Sequence, residues 1–465
     1  NRTTSTMSDN KLLHKIPEFV SKSYTSTEKL EALTMKEVKL PMSLQTHEVC
    51  WEPQTQSLFV TQMSDSLLVR FTVDEQGYLK DTQEAWQVGP ANAGLHNASC
   101  SYEHPGHIWL TLQYMNLAFL VDVRSGDDFL KVKEIYQVPS WMFVDGKQLH
   151  IGGPHCVREC PVTGQLWACL KGAKEDENNP CAKFSQCCDV AKQRSAMEEH
   201  AKDADHDIAV PDSWAVWQLD RKTYDPKCSI GGKGGKIYPC LQSPPMCCTD
   251  DKGNCWIAQD CSPTLMWIDQ KTGESEQIEV PWPAGTPDSI KHTGPGIAKA
   301  PNGSIWMTLL ETNGNLVRVD PNTKECVLYS IKPPGWAQNM RLIHMDFCAA
   351  SVPEHHNRIY VIASTLLDDN STDCILVLNV CKNWEIVEGI RIIPLPSQRS
   401  RCHRIAYCDI DDGDNEVDDG SVFITELSRS KLLQVKMNDD VRMDKITETV
   451  STNEQGFKVR RYECV

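Results

Sequence analysis

No stretch of this 465-residue chain approaches the run of about eighteen apolar residues that a membrane-spanning helix needs, so membrane insertion is not expected. Basic residues are in deficit: 47 Lys and Arg stand against 63 Asp and Glu, a formal net charge of -16. No local Lys/Arg cluster offsets that balance, which argues against nucleic acid as a partner, since phosphate neutralisation requires one. The first residues lack the charged and apolar regions of an export signal, and the chain reads as a mature form with any such signal already removed. Helical periodicity is scarce as well. The one convincing helical pattern is AKQRSAMEEHAKDADHD, inside residues 173–213.

What the chain does have is a motif that recurs seven times, built of short alternating strands and turn residues. It reads HEVCWEPQTQSLFVTQMSDSLLVRFTVD from His47, HNASCSYEHPGHIWLTLQYMNLAFLVDV from His96 and HCVRECPVTGQLWACLKG from His155. It returns from Met246, Pro295, His344 and His403, with steps of 49, 59, 91, 49, 49 and 59 residues between openings. A period near fifty residues with this strand pattern predicts an all-β fold, a seven-bladed β-propeller of four-stranded antiparallel blades. One blade cannot bury both of its faces, so the blades must close into a ring. Residues 1–40, polar and rich in Ser and Thr, read as an N-terminal arm that packs outside or partly supplies a strand. Residues 41–465 read as a single propeller domain, with an insertion at 173–213 between the second and third strands of the third blade.

Cysteine is plentiful: 21 residues spread over the whole length, a density that fits an oxidising compartment and a disulfide-stapled, secreted protein. No spacing forms a zinc knuckle. Cys255 and Cys261 bracket one hairpin, Cys402 and Cys408 another, and Cys156 and Cys160 are placed to clip a strand turn. Sequons at Asn1, Asn97, Asn302 and Asn370 agree with export and glycosylation; Asn302 and Asn370 lie in turns, whereas Asn97 follows an expected channel residue and is expected to be too enclosed for modification.

Five openings carry His in one register: His47, His96, His155, His344 and His403. If the first strand of each blade is innermost, these imidazoles share the channel axis. Buried polar rings are unfavourable unless they satisfy one another, water or a ligand, so the His-lined end of the channel is the expected functional site and all five are candidate metal ligands. A transition metal suits several imidazoles better than magnesium does. The residue after the WLT-like triplet of the second strand is expected to face inward too. Gln62, Gln259 and Glu426 occupy that register, Gln62 and Gln259 as substrate-binding candidates and Glu426, the carboxylate of the set, as ligand or base. Trp109, Trp167, Trp256 and Trp306 read as repeat-core residues, whereas Trp141, Trp282 and Trp336, in loops with Pro or Gly nearby, are candidates for a ligand-holding mouth. The acidic turn DIDDGDNEVDDG at 409–420 is a candidate calcium site by composition, although it lacks EF-hand spacing.

The unit GPGIAKAPNGSIWMTLLETNGNLVRVDPNT and the element FITE at 423–426 resemble the repeats of the streptogramin B lyase (virginiamycin B lyase) family, which run roughly GPHGIAVDxDGNVWFTE. The resemblance covers the repeat region, about residues 45–440, with the fifth unit the best match. It implies a seven-bladed propeller and a lyase that opens a cyclic depsipeptide by β-elimination, using an opening His, a strand-borne Glu and magnesium. Carried over by motif, His344 and His403 match the opening His and Glu426 the Glu. The fifth unit departs from the pattern with Pro295 in place of His, and the greater length and cysteine content argue against the same substrate. The expectation is a secreted enzyme acting on a small organic or natural-product substrate, by proton abstraction and elimination with catalytic His344, His403 and Glu426. Left open beside it are a cofactor-free cyclase or pericyclase, a His-iron oxygenase resembling the carotenoid cleavage enzymes in its His count, and a non-enzymatic ligand-binding propeller.

Overall fold

The computed structural model describes residues 13–15, 33–74, 77–139, 141–144, 147–171, 214–224, 235–260, 262–291, 293–310, 312–331, 339–349, 357–366, 368–408, 420–437 and 443–464. Each repeat folds into one antiparallel sheet whose first strand is innermost. The inner strands are Thr46–Glu52, Leu95–Cys100, Gly153–Glu159, Cys247–Thr249, Thr293–Lys299, Leu342–Cys348 and Cys402–Cys408. Each neighbours the inner strand of the next blade around the full circle, and the seventh meets the first. The chain is therefore an all-β, seven-bladed propeller, as the repeats predict.

The ring closes through the arm. Leu33–Lys39 forms the outermost strand of blade seven, paired antiparallel with Lys431–Met437 from Leu33↔Met437 to Lys39↔Lys431. A boundary at residue 40 therefore cuts through a blade, because this strand lies far from its sheet in sequence and carries no repeat motif. Leu13–Lys15 pairs with the outer strand of blade one. At the other end of the chain, Lys458–Cys464 adds in parallel to the outer strand of blade five and Ile446–Thr452 pairs beyond it. The 173–213 insertion lies outside the described residues; its flanks are the second strand of blade three, Leu166–Lys171, and the third, Ala215–Leu219.

Between the blades lie the cores. Trp109, Trp167, Trp256 and Trp306, one on each second strand of blades two to five, are fully buried. Trp167, Trp256 and Trp306 pack among aliphatic side chains and cysteines, and Trp109 among aliphatic and aromatic side chains. Trp282 is buried as well, its indole N–H donating to the Pro263 carbonyl, and so belongs to the packing and not to a mouth. Fifteen of the described cysteines are thiols. Extended strand geometry rules out two of the local pairings considered above. Cys402 and Cys408 end one seven-residue strand, roughly 20 Å apart, and Cys156 and Cys160 are separated by roughly 13 Å of strand; a disulfide needs Cα atoms within about 7 Å.

Candidate functional site

The inner strands are not regular where the histidines sit. In six blades the register with the second strand slips at that point, for example between Thr46 and Val49, Leu95 and Ala98, and Cys402 and Ile405. Such a bulge frees backbone groups and re-aims a side chain. A threonine on the second strand takes up the freed groups. Glu48 N–H donates to Thr61 Oγ1 at 3.0 Å, Asn97 N–H to Thr111 Oγ1 at 3.0 Å and Arg404 N–H to Thr425 Oγ1 at 3.0 Å. The same hydroxyls reach the next blade: Thr425 donates to the His47 carbonyl at 2.9 Å and Thr61 to the His96 carbonyl at 2.8 Å. These bonds carry the histidines of blades seven, one and two from one bulge to the next, which is why imidazoles far apart in sequence meet.

The imidazoles crowd the axis. His47 and His96 have ring centroids 3.7 Å apart, as do His96 and His155, and His47 and His403 are linked Nε2 to Nε2 at 2.9 Å. One ligand atom from each of His47, His96 and His155 lies within 4.8 Å of the others. Both ring nitrogens of His96 and His155 and Nδ1 of His47 are buried without a hydrogen-bond partner. Burial, reinforced by Arg404 together with neighbouring imidazoles or Lys171 and, at His344, by Arg158, holds all five histidines well below their ordinary pKa, so the rings are neutral at physiological pH. Neutral imidazoles with unused lone pairs form a donor set that fits a transition metal. His403 supports the cluster through His47. His344 stands apart: its Nδ1 accepts the Ile405 N–H at 3.4 Å, which assigns its proton to Nε2.

Beside the imidazole layer is a cavity of about 340 Å³. Its walls are the residues that follow the His register on the inner strands of blades one to six, including Glu48, Ser99, Arg158, Cys247 and Asp346, together with His344. Two of these went unnoticed in the sequence. Asp346 accepts the Phe347 N–H at 2.9 Å and the Tyr407 N–H at 2.7 Å, and enclosure outweighs these bonds to push it up to about 6. Its signal was available: among the five His openings, blade six alone has a carboxylate two residues on. The neighbouring thiols of Cys156, Cys169 and Cys255 hold Cys247 well below the ordinary thiol range. No sequence pattern shows that these four thiols converge from two blades.

The second-strand register does not face the axis. Gln62 donates from Nε2 to the Pro41 carbonyl at 2.6 Å, and Gln259 donates to Gln277 Oε1 at 2.7 Å while accepting the Leu241 N–H. Glu426 is carried toward the outer strand of its own blade, against Glu37, where burial and the Glu37 carboxylate push it up to about 9. Glu37 is itself bonded by Lys431 at 2.7 Å. The reason is strand alternation: in blades one and seven the preceding threonine points to the inner strands, so its successor points to the opposite side of the sheet. Gln62, Gln259 and Glu426 thus do not join the His cluster. Trp336 and residues 409–419 of the acidic turn lie outside the described residues, as does the side chain of Trp141. Among the described residues no helix is long and apolar enough to cross a membrane.

No protein-family model matches the chain, and no curated protein is detectably similar in sequence. Solved structures are similar in fold. Virginiamycin B lyase from Staphylococcus aureus superposes with a TM-score of 0.52 at 13% identity, covering 87% of this chain and 99% of that one. A catalytically inactive variant of that lyase, solved with quinupristin, gives 0.52 at 12% identity over 87% of this chain and 99% of that chain. The WD40 repeats of RRP9 give 0.51 at 8% identity over 90% of this chain and 100% of theirs. The resemblance read from the repeats therefore holds at the level of the propeller, a scaffold shared by proteins of different function.

Proposed function

We propose that this chain is an exported enzyme that removes a proton from a small organic substrate and expels a leaving group in the axial cavity, with a transition-metal ion on His47, His96 and His155. The observation that carries the reading is the buried imidazole cluster, whose unpartnered nitrogens would be costly to keep without a ligand. A metal bound there supplies Lewis-acid polarisation of a carbonyl or carboxylate.

The chain's own residues do the rest. Asp346, pushed up to about 6, is mostly ionised at pH 7 yet basic enough to take a proton from an acidified C–H, and its two backbone N–H bonds hold it in place. His344, neutral and with its proton on Nε2, can offer that N–H as a hydrogen bond to the departing group. His403 orients His47. That a propeller of this fold has been solved with quinupristin supports a small-molecule site on the scaffold. Export is supported by the 21 cysteines and by the exposed sequon residues Asn302 and Asn370; Asn97 is buried, its Nδ2 bonded to Ser99 and to the Trp109 carbonyl.

Elemental analysis tests this. The full chain is measured as purified and again after exposure to zinc, iron(II) or copper and desalting, beside the double variant His96→Ala/His155→Ala. About one equivalent of a transition metal, falling below about a tenth of that in a folded variant, is expected. No retained metal in the unaltered chain overturns the metal reading and leaves an acid–base pocket or a binding propeller.

A further inference from the structure

The wall of the axial cavity holds a pair of thiols that belongs to neither the imidazole cluster nor the Asp346 and His344 pair. Cys50 comes from the inner strand of blade one and Cys100 from that of blade two, and their Sγ atoms are 3.2 Å apart. Both line the cavity. Cys50 is buried and Cys100 partly exposed, so a small reagent entering the cavity meets Cys100 first. Cys100 also donates to the Trp51 carbonyl at 2.8 Å, which fixes its side chain toward blade one. The two positions are fifty residues apart in sequence, one repeat, and each lies on the strand half beyond the bulge. Unlike Cys402 and Cys408, or Cys156 and Cys160, they stand on different strands, and those strands are neighbours in the ring. No separation along an extended strand keeps them apart.

We infer that Cys50 and Cys100 are a site of disulfide formation that covalently joins blade one to blade two along the cavity wall. The oxidant is a low-molecular-weight disulfide. The Cys100 thiolate attacks one of its sulfurs, forming a mixed disulfide and releasing one thiolate. Cys50, having lost its proton to solvent, then attacks the Cys100 sulfur and releases the second. Overall, two protein thiols and one small disulfide become one protein disulfide and two small thiols. The Cys100 bond to Trp51 is lost in the process, so the cross-link changes the cavity wall as well as the seam between the blades.

Peptide mapping tests the inference. Folded full-length protein is equilibrated with oxidised glutathione or with dithiothreitol, acid-quenched, unfolded, blocked with N-ethylmaleimide and digested without reduction. The oxidised sample should give a linked peptide pair containing Cys50 and Cys100, two hydrogens lighter than the separate peptides, which is absent after dithiothreitol. In Cys50→Ser, Cys100 should end as its mixed disulfide with glutathione. Recovery of both residues as maleimide adducts from the oxidised protein, or either one linked to a different cysteine, overturns the inference. The mapping of the unaltered chain decides the matter even if the serine variant fails to fold.

Discussion

Two arcs of one ring differ sharply. Blades six, seven, one, two and three put His344, His403, His47, His96 and His155 at the bulge of the inner strand, whereas blade five puts Gly294, Pro295 and Gly296 there, and blade four begins its inner strand after Pro244, Pro245 and Met246. The Gly-Pro-Gly element is tight. A Cβ on Gly296 would come within 2.6 Å of the Ile343 carbonyl, and one on Gly294 within 2.4 Å of Thr308 Oγ1. The backbone of blade five therefore closes against blade six with no space for a side chain at these glycines. The asymmetry teaches that the repeat fixes the scaffold while small local departures from it decide the site. A ring of seven imidazoles would crowd a narrow axis, and a ring of seven glycines would have no ligands.

The comparison can be broken most forcefully at the seam between the arcs. Lys171 of blade three and Asp260 of blade four form a buried ion pair at 2.6 Å. Removing the carboxylate beside a buried ammonium, in Asp260→Ala, should cost about 3–5 kcal/mol in urea unfolding, and a cost below about 1 kcal/mol would show that the arcs are joined by packing alone.

Glu426 offers a smaller effect with a distinct pH signature. Its folded pKa, raised to about 9, means that the native state holds a proton the unfolded chain loses near 4.5, so stability falls as pH rises between those values. Glu426→Gln should match the unaltered protein near pH 5 and exceed it by roughly 2–4 kcal/mol near pH 9. Equal stability of the two at pH 9 would refute the buried carboxylate pair with Glu37.

The smallest effect sharpens the His arc itself. The five histidines have folded pKa values below the unfolded value of 6.5, so each stabilises the fold above that pH, and the contribution is lost as pH falls below it. Each adds up to about 1.4 kcal/mol per pH unit to the acid slope. His96→Gln should flatten the slope of stability between pH 6 and pH 5 by about that amount.

How much of this was legible in the residues is clearest at particular positions. Because a repeat near fifty residues cannot bury itself alone, the spacing of His47, His96, His155, His344 and His403 determined the propeller and the blade count, and it pointed to the axis where four of these imidazoles meet while His344 stands apart. The tryptophans of the second strands were readable as core for the same reason. Periodicity is a local property: the blades and their tryptophan cores follow from it, whereas the inward register it suggested for Gln62, Gln259 and Glu426 does not hold. Contacts between distant segments were decided by the tertiary structure alone. The closing strand Leu33–Lys39 carries no motif because it meets its sheet almost four hundred residues away. Glu426 shares its strand with residues that face the axis, yet pleating turns it toward Glu37. Asp346 becomes a base candidate only when the ring encloses it, since enclosure and not sequence raises its pKa. Composition pointed to disulfides, but only the neighbouring inner strands bring Cys50 and Cys100 to 3.2 Å. Side-chain chemistry and its period are written in the chain; which groups lose water and which meet depends on three-dimensional closure, because burial and proximity exist only after the blades have come together.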